Sequence, residues 1–173
     1  LRQDIIWAKP NPMPESVKDR CTKSHEYVFL LSKSSKYYFD SSAIREKAVG
    51  ERWGGKKSRD LDNTKGGVNG LTRARDEMPE FRNKRSVWNV ATKPFPEAHF
   101  ATFPEALIEP MVKAGSPLGG LVLDPFFGAG TTGLVAKKLG RDFVGVELNP
   151  EYVKIALKRL EGFKDQMRLE GVQ

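Results

Sequence analysis

Leu121 to Tyr152 reads LVLDPFFGAGTTGLVAKKLGRDFVGVELNPEY, and the rest of the chain is interpretable around it. Leu121, Val122 and Leu123 make a short apolar run that stops at Asp124-Pro125. An unalternating run of this kind predicts a parallel strand buried on both faces. Phe127-Gly128-Ala129-Gly130 then turns the chain, where glycine accepts positive φ and keeps no Cβ between backbone and ligand. Thr131-Thr132 open a predicted helix that runs through Leu139 and stops at Gly140. Phe143-Val144-Gly145-Val146 is expected to be a second buried strand, finishing on Glu147. Strand, glycine turn, helix, strand and terminal acid together form a nucleotide-binding βαβ pattern.

The two acids have different tasks in such a unit. Glu147, at the end of the second strand, can accept hydrogen bonds from the vicinal hydroxyls of a ribose. Asp124, at the end of the first, favours a cation or an amine. Gly128, Gly130 and Gly133 also satisfy G-x-G-x-x-G. That match alone is weak and leaves open a nicotinamide enzyme or a crossover that binds no cofactor. The flanks narrow the choice. DPFFGAGTT followed by GVELNPEY resembles the S-adenosylmethionine loop of DNA methyltransferases that modify an exocyclic amine, adenine N6 or cytosine N4. The resemblance implies cofactor contacts at Asp124, Pro125, Phe126, Phe127, Gly128, Gly130, Thr131, Thr132, Glu147, Leu148 and Asn149. It implies an α/β fold, a partial Rossmann-like S-adenosylmethionine-dependent methyltransferase with a basic, irregular target-recognition insert.

Composition agrees with a polyanionic partner. The 173 residues hold 29 Lys plus Arg against 22 Asp plus Glu, a formal charge of +7. Double-stranded DNA is the partner this surplus and the resemblance favour, although charge alone also fits an ordinary basic surface. A single cysteine, Cys21, excludes an internal disulfide and a cysteine-based zinc cluster. No apolar run approaches a membrane span and no signal peptide is visible, so the default setting is cytoplasmic. The chain begins at Leu1 without methionine and reads as a piece of something longer.

From the start, Asp4 to Ala8 (DIIWA) predicts a buried strand, and Pro10, Pro12 and Pro14 force an extended loop after it. His25 to Ser32 (HEYVFLLS) predicts a second strand, far enough from the first for an antiparallel pair closed by that long loop. His25 and Glu26 have no further ligand or nucleophile nearby, so neither a metal site nor a catalytic role is expected there. WAKPNPMP with the following RCTKSHEY resembles the segment after the catalytic strand in the same methyltransferases. On that basis Lys9 and Asn11 border the target-base pocket; read without it, they are ordinary loop polars.

Between Tyr37 and Lys93 the character changes. Arg52, Lys56, Lys57 and Arg59 come without an intervening acid, a glycine-bearing polar stretch follows, and Arg73, Arg75, Arg82, Lys84 and Arg85 close it. Cations for phosphates and glycines for close approach fit a DNA-contacting insert, and a solvated surface loop is the alternative. Val87 to Val90 predicts a short strand or an extended segment leading into Pro94-Phe95-Pro96. Pro104 fits the first turn of a helix capped by Thr102, with Leu107, Ile108, Met111 and Val112 on its apolar face up to Gly115. The family resemblance places Ala101, Thr102 and Phe103 against the methionine end of the cofactor. Asn149-Pro150-Glu151 begins a last amphipathic helix expected to end its regular part at Gly162.

The segment order, strand pair, basic insert, flanking helix and glycine loop, resembles the permuted class of this family. Residues 1–36 are then a strand pair of the methyltransferase sheet, 37–93 a target-recognition insert, and 94–173 the cofactor-binding subdomain. The family's Asp-Pro-Pro-Tyr or Ser-Pro-Pro-Tyr motif, which presents the target amine, is absent from the sequence, so no catalytic residue is assigned. By analogy, two middle strands are also missing, leaving two half-sheets whose bare edges need an upstream catalytic segment or a second copy of the chain. The expected function is the cofactor and DNA-reading portion of an amino-directed methyltransferase, inactive alone. A non-catalytic DNA- or cofactor-binding module is the alternative.

Overall fold

The computed structural model describes residues 1–48, 80–93 and 102–169. Strands β1 (Gln3–Ala8) and β2 (His25–Leu30) pair antiparallel, from Gln3 opposite Leu30 to Ala8 opposite His25. The far edge of β1 takes β5 (Val87–Asn89) in parallel, with Trp7 beside Trp88. Between them in sequence, β3 (Glu46–Lys47) and β4 (Phe81–Arg82) form a short antiparallel stem. A separate parallel pair, β6 (Leu121–Asp124) and β7 (Asp142–Gly145), is linked by α2 (Thr131–Lys138). Helix α1 (Glu105–Gly115) precedes β6, and α3 (Pro150–Leu169) follows β7.

Among the described residues no strand pairing joins the three-stranded sheet to the β6–β7 pair. The expected two half-sheets are therefore present, and α1 connects them. Leu107 packs with Ile5, Trp7 and Trp88 of the first sheet. Ile108 and Val112 pack with Val135 of α2 and with Val122 of β6, and Met111 touches both clusters. Neighbouring positions on a helix project about 100° apart, which lets one helix face two sheets.

Several expectations need correction. β6 and β7 are not buried on both faces: Leu121 is 67% exposed, Leu123 65%, Val144 46% and Val146 50%. The α1–α2 cluster receives Val122, while Leu121 and Leu123 point to the other side of the pleat. Thr102 is not the cap of α1. Pro104 takes that place with φ −73° and ψ 149°, and the helix starts at Glu105. Its ψ is extended, so the first helical turn begins one residue later than its fixed φ invites. Gly162 does not end α3, which continues to Leu169. A helical glycine costs only about 1 kcal/mol relative to alanine, and Gly162 has no positive φ to break the spiral.

Among the described residues Arg141 is the buried cation, 8% exposed. Its Nε and Nη2 donate to the Ser116 carbonyl at 3.2 and 2.8 Å, and Nη1 donates to the Leu139 carbonyl. Those carbonyls stand at the C-terminal ends of α1 and α2, where helices leave acceptors unsatisfied and a positive charge is favoured. Arg141→Met should therefore lower stability by about 1.5–3 kcal/mol, the range for charge-assisted bonds, measured as a fall in denaturant midpoint at unchanged slope. A midpoint equal to the parent's would show that water replaces the guanidinium at both helix ends.

Candidate functional site

The glycine turn is held from below by one aromatic ring. Phe127 leaves the end of β6 with its N–H bonded to the Val146 carbonyl at 2.9 Å, and Val146 N–H returns to the Asp124 carbonyl at 2.9 Å. Its ring stacks on Phe143, with centroids 5.4 Å apart. Three glycines leave room for it. A Cβ on Gly145 would lie 2.4 Å from the Phe127 ring, one on Gly133 2.6 Å, and one on Gly130 3.2 Å. Gly130 also has φ +79° and would bring a Cβ within 2.8 Å of the Ala156 Cβ of α3. Gly128 has φ +52°, so both turn glycines occupy the left-handed region that disfavours side chains.

Above this support the backbone N–H of Gly128 donates to Glu147 Oε2 at 2.7 Å, and that of Asn149 donates to Oε1 at 2.8 Å. The Asn149 and Gly128 amides hold the Glu147 carboxyl below its ordinary range. Each carboxylate oxygen keeps a further lone pair for another donor. Asp124 Oδ1 accepts from Phe126 N–H at 3.0 Å, closing a small turn at the strand end. Phe126 and Leu148, the apolar neighbours of these two segments, are 86% and 97% exposed. A cavity of about 310 Å³ runs beside β6, walled by Ile108, Met111, Val112, Leu123, Asp124 and Thr132.

The structure thus brings Asp124, Pro125, Phe126, Phe127, Gly128, Gly130, Thr131, Thr132, Glu147, Leu148 and Asn149 onto one loop system. Phe127 is used mainly beneath the loop, whereas Thr131 is buried and accepts from Arg159 Nη1 at 3.2 Å. Phe103 is partly exposed ahead of α1 and Thr102 stands just before it; Ala101 lies outside the described residues. Sequence reasoning missed Gly145, Phe143, Ala156 and Arg159. The Gly133 and Gly145 spacing carried a signal, since each sits where a neighbouring aromatic needs space, but the partner ring is set by packing.

Of the expected DNA-contacting residues, Arg52, Lys56, Lys57, Arg59, Arg73 and Arg75 lie outside the described residues. Lys9 sits over the Trp7 ring, 4.5 Å from its centroid, and pairs with Glu26. Asn11 acts as a clasp: Nδ2 donates to the Thr92 carbonyl at 3.1 Å and Oδ1 accepts from Thr92 N–H at 2.9 Å. Arg85 and Arg82 both donate to Glu46 Oε1, at 2.8 and 2.9 Å. Lys84 rests over Trp88, 5.1 Å from the ring centre. The Arg85 side chain is 67% exposed, and an ion pair so exposed contributes little.

A family profile described as DNA methylase matches residues 1–158. This chain belongs to the DNA methylase family. It is 51% identical over 162 residues to the Type II methyltransferase M.Cfr9I of Citrobacter freundii, covering 94% of this chain and 45% of that protein. It is 48% identical to M.SmaI of Serratia marcescens, over 92% of this chain and 46% of that protein. The chain spans about half the length of the curated relatives it matches. Among solved structures it is similar to the M1.HpyAVI–SAM complex, with TM-score 0.55 and 26% identity over 92% of this chain and 61% of that one. It shares its fold with the PvuII cytosine-N4-specific DNA methyltransferase, with TM-score 0.64 and 20% identity over 91% of this chain and 50% of that one. The amino-directed methyltransferase resemblance drawn from the glycine loop and the partial Rossmann-like fold expected with it both hold.

The three glycines around Phe127 give a direct check. Gly145→Ala should destabilise the chain by about 1–3 kcal/mol, the usual cost of overpacking, read as a lower thermal midpoint. Adding Phe127→Leu should recover part of the loss, because the smaller side chain vacates the space. Equal midpoints for Gly145→Ala and parent would show that the ring does not need the glycine.

Proposed function

We propose that this chain is the S-adenosylmethionine-binding and DNA-reading portion of an amino-directed DNA methyltransferase. The observation that carries the reading is Glu147, held ionised beside the glycine turn with acceptor capacity to spare. In this reading Glu147 receives the ribose hydroxyls, and Phe126 and Leu148 give apolar surface to the adenine. Asp124, Thr132, Thr102 and Phe103, with Ala101, form the methionine end. Bound there, the cofactor supplies a methyl group activated on a sulfonium. The chain's own residues orient it, and the exposed apolar surfaces exclude water around it.

The division into a strand pair (1–36), a target-recognition insert (37–93) and a cofactor subdomain (94–173) belongs to the same proposal. The β3–β4 stem would hold the insert, and Lys84 and Arg85 would stand at its foot. Lys9 and Asn11 would border the base pocket through the backbone their side chains brace. The target amine would be presented by an Asp/Ser-Pro-Pro-Tyr segment supplied from elsewhere, an upstream segment or a second copy. A base inside a duplex must leave the stack to reach it. Positioning two reactants is worth about 7–11 kcal/mol of barrier, so the cofactor half without its amine-holding partner should not turn over.

Four measurements test this reading. Glu147→Ala should weaken S-adenosylhomocysteine binding at least about tenfold, the scale of one charge-assisted hydrogen bond, in a calorimetric titration that shows no NAD binding by the parent. The folded pKa of Glu147 is depressed below 4.5. Its bonds therefore add stability above that pH and lose it only as pH falls through the depressed value. Parent affinity should accordingly stay flat from neutrality to pH 5. A fall at pH 6 seen in the parent and lost in Glu147→Ala would overturn this account of the Glu147 carboxylate.

Replacing Arg52, Lys56, Lys57 and Arg59 together by alanine should weaken DNA binding and reduce its salt slope by up to about four counterions' worth. An unchanged slope would assign these residues to solvation. Tritium transfer from labelled S-adenosylmethionine to mixed-sequence DNA should be absent with this chain and appear when the segment carrying the missing motif is added. Turnover by the chain alone, abolished by Gly128→Val, would mean that its catalytic residues are among those present. Cofactor and DNA binding without rescue would favour the non-catalytic module.

A further inference from the structure

Helix α3 reaches the glycine turn through two residues one turn apart. Ala156, 2% exposed, fills the space beside Gly130. Arg159 donates from Nη1 to the Ala129 carbonyl at 2.6 Å and to Thr131 Oγ1 at 3.2 Å. Its Nη2 lies 3.9 Å from Glu105 Oε1 on α1, and Glu105 Oε2 accepts from Lys138 of α2 at 2.6 Å. One carboxylate thus ties three helices together behind the turn. The Arg159 side chain is only 17% exposed.

The Ala129–Gly130 peptide is the place where the turn has a conformational choice. Rotating that peptide changes ψ of Ala129 and φ of Gly130, and glycine accepts either sign of φ. No side chain at Gly130 decides which way the carbonyl points. Two hydrogen bonds do: Arg159 on the Ala129 oxygen, and Gly130 N–H on the Phe127 carbonyl at 2.9 Å. Two residues earlier the same turn aims Gly128 N–H at Glu147.

We propose that Arg159 is a positioning residue for the cofactor loop, fixing the Ala129–Gly130 peptide so that the Gly128 amide and Glu147 stay in register. It acts on the loop through the Ala129 carbonyl and the Thr131 hydroxyl. The inference rests on the cofactor reading of this loop for its consequence in binding, but not for its structural content.

The test compares Arg159→Met and Arg159→Lys with the parent by amide spectra of the ligand-free chain and by calorimetry with S-adenosylhomocysteine. Arg159→Met should shift the Gly128, Ala129 and Gly130 amides while leaving those of β1 and β2 in place. It should also weaken binding about tenfold, the scale of one charge-assisted bond. Arg159→Lys, which keeps charge and one donor, should restore part of both. If Arg159→Met does not fold, displaced loop amides and weaker binding in Arg159→Lys carry the comparison. Loop amides at parent positions in the folded variants overturn the proposal, whether affinity is kept or lost. A parent that does not bind S-adenosylhomocysteine sinks the cofactor reading alone, and the amide shifts still decide the role of Arg159.

Discussion

Helix α1 is the constraint on which the described fold depends. Among the described residues the two sheets share no ladder, so no strand pairing holds them at a fixed relation. Leu107 enters one core, Ile108 and Val112 enter the other, and Met111 belongs to both. The C-terminal end of the helix is fastened on both sides as well. The Ala114 carbonyl accepts from Asp40 N–H at 2.9 Å, and the Ser116 carbonyl takes the Arg141 guanidinium. Asp40 is itself held ionised, first by the Ser42 hydroxyl and then by the Ala43 amide, with Arg141 adding to the effect. Packing and charge thus replace a continuous sheet.

The consequence for the candidate site is that its floor and its walls come from different cores. The Phe127 ring, with Phe143 and the three glycines around it, supports the turn from within the β6–β7 unit. The cavity beside β6 is walled on one side by α1, whose position is set partly by Trp7 and Trp88. A change in the first sheet can therefore reach the loop without touching it. The bare sides of β2, β6 and β7, with Tyr27, Phe29, Leu121 and Leu123 exposed, are large apolar surfaces of a kind that usually meets further protein.

Cations near the site divide by what they face. Arg141 and Arg159 are spent on main-chain carbonyls in the interior, where an unpaired charge is costly. Arg82 and Arg85 share Glu46 at the β3–β4 stem, close to solvent. Lys9 and Lys84 lie on tryptophan faces, covering apolar surface with their stems. A net charge of +7 is thus not a count of phosphate ligands.

The βαβ order, the left-handed turn and the acid just after β7 were all legible in the sequence, although the strand starts at Asp142 and ends at Gly145, before Val146 and Glu147. Each follows from local chemistry: apolar runs between polar stops, glycines where φ turns positive, and a carboxylate at a strand end. The family resemblance rested on the same residues, and Asp4–Ala8 and His25–Ser32 were readable as an antiparallel pair from their β-rich composition. What a run of residues does not carry is the identity of its neighbours. LVL has the same letters whether one or two faces are covered, and only the arrangement of α1 and α2 leaves Leu121 and Leu123 bare. Val87–Asn89 announced a strand but not its parallel place beside β1. Asn11 read as a border of the base pocket or else a loop polar, and neither reading contained Thr92, far along the chain, as the other half of its clasp. Arg159 looked like one more basic residue on an amphipathic helix. Tertiary structure alone put its guanidinium on the Ala129 carbonyl, because that contact depends on where α3 returns across the β6–β7 unit, and no local pattern encodes that return.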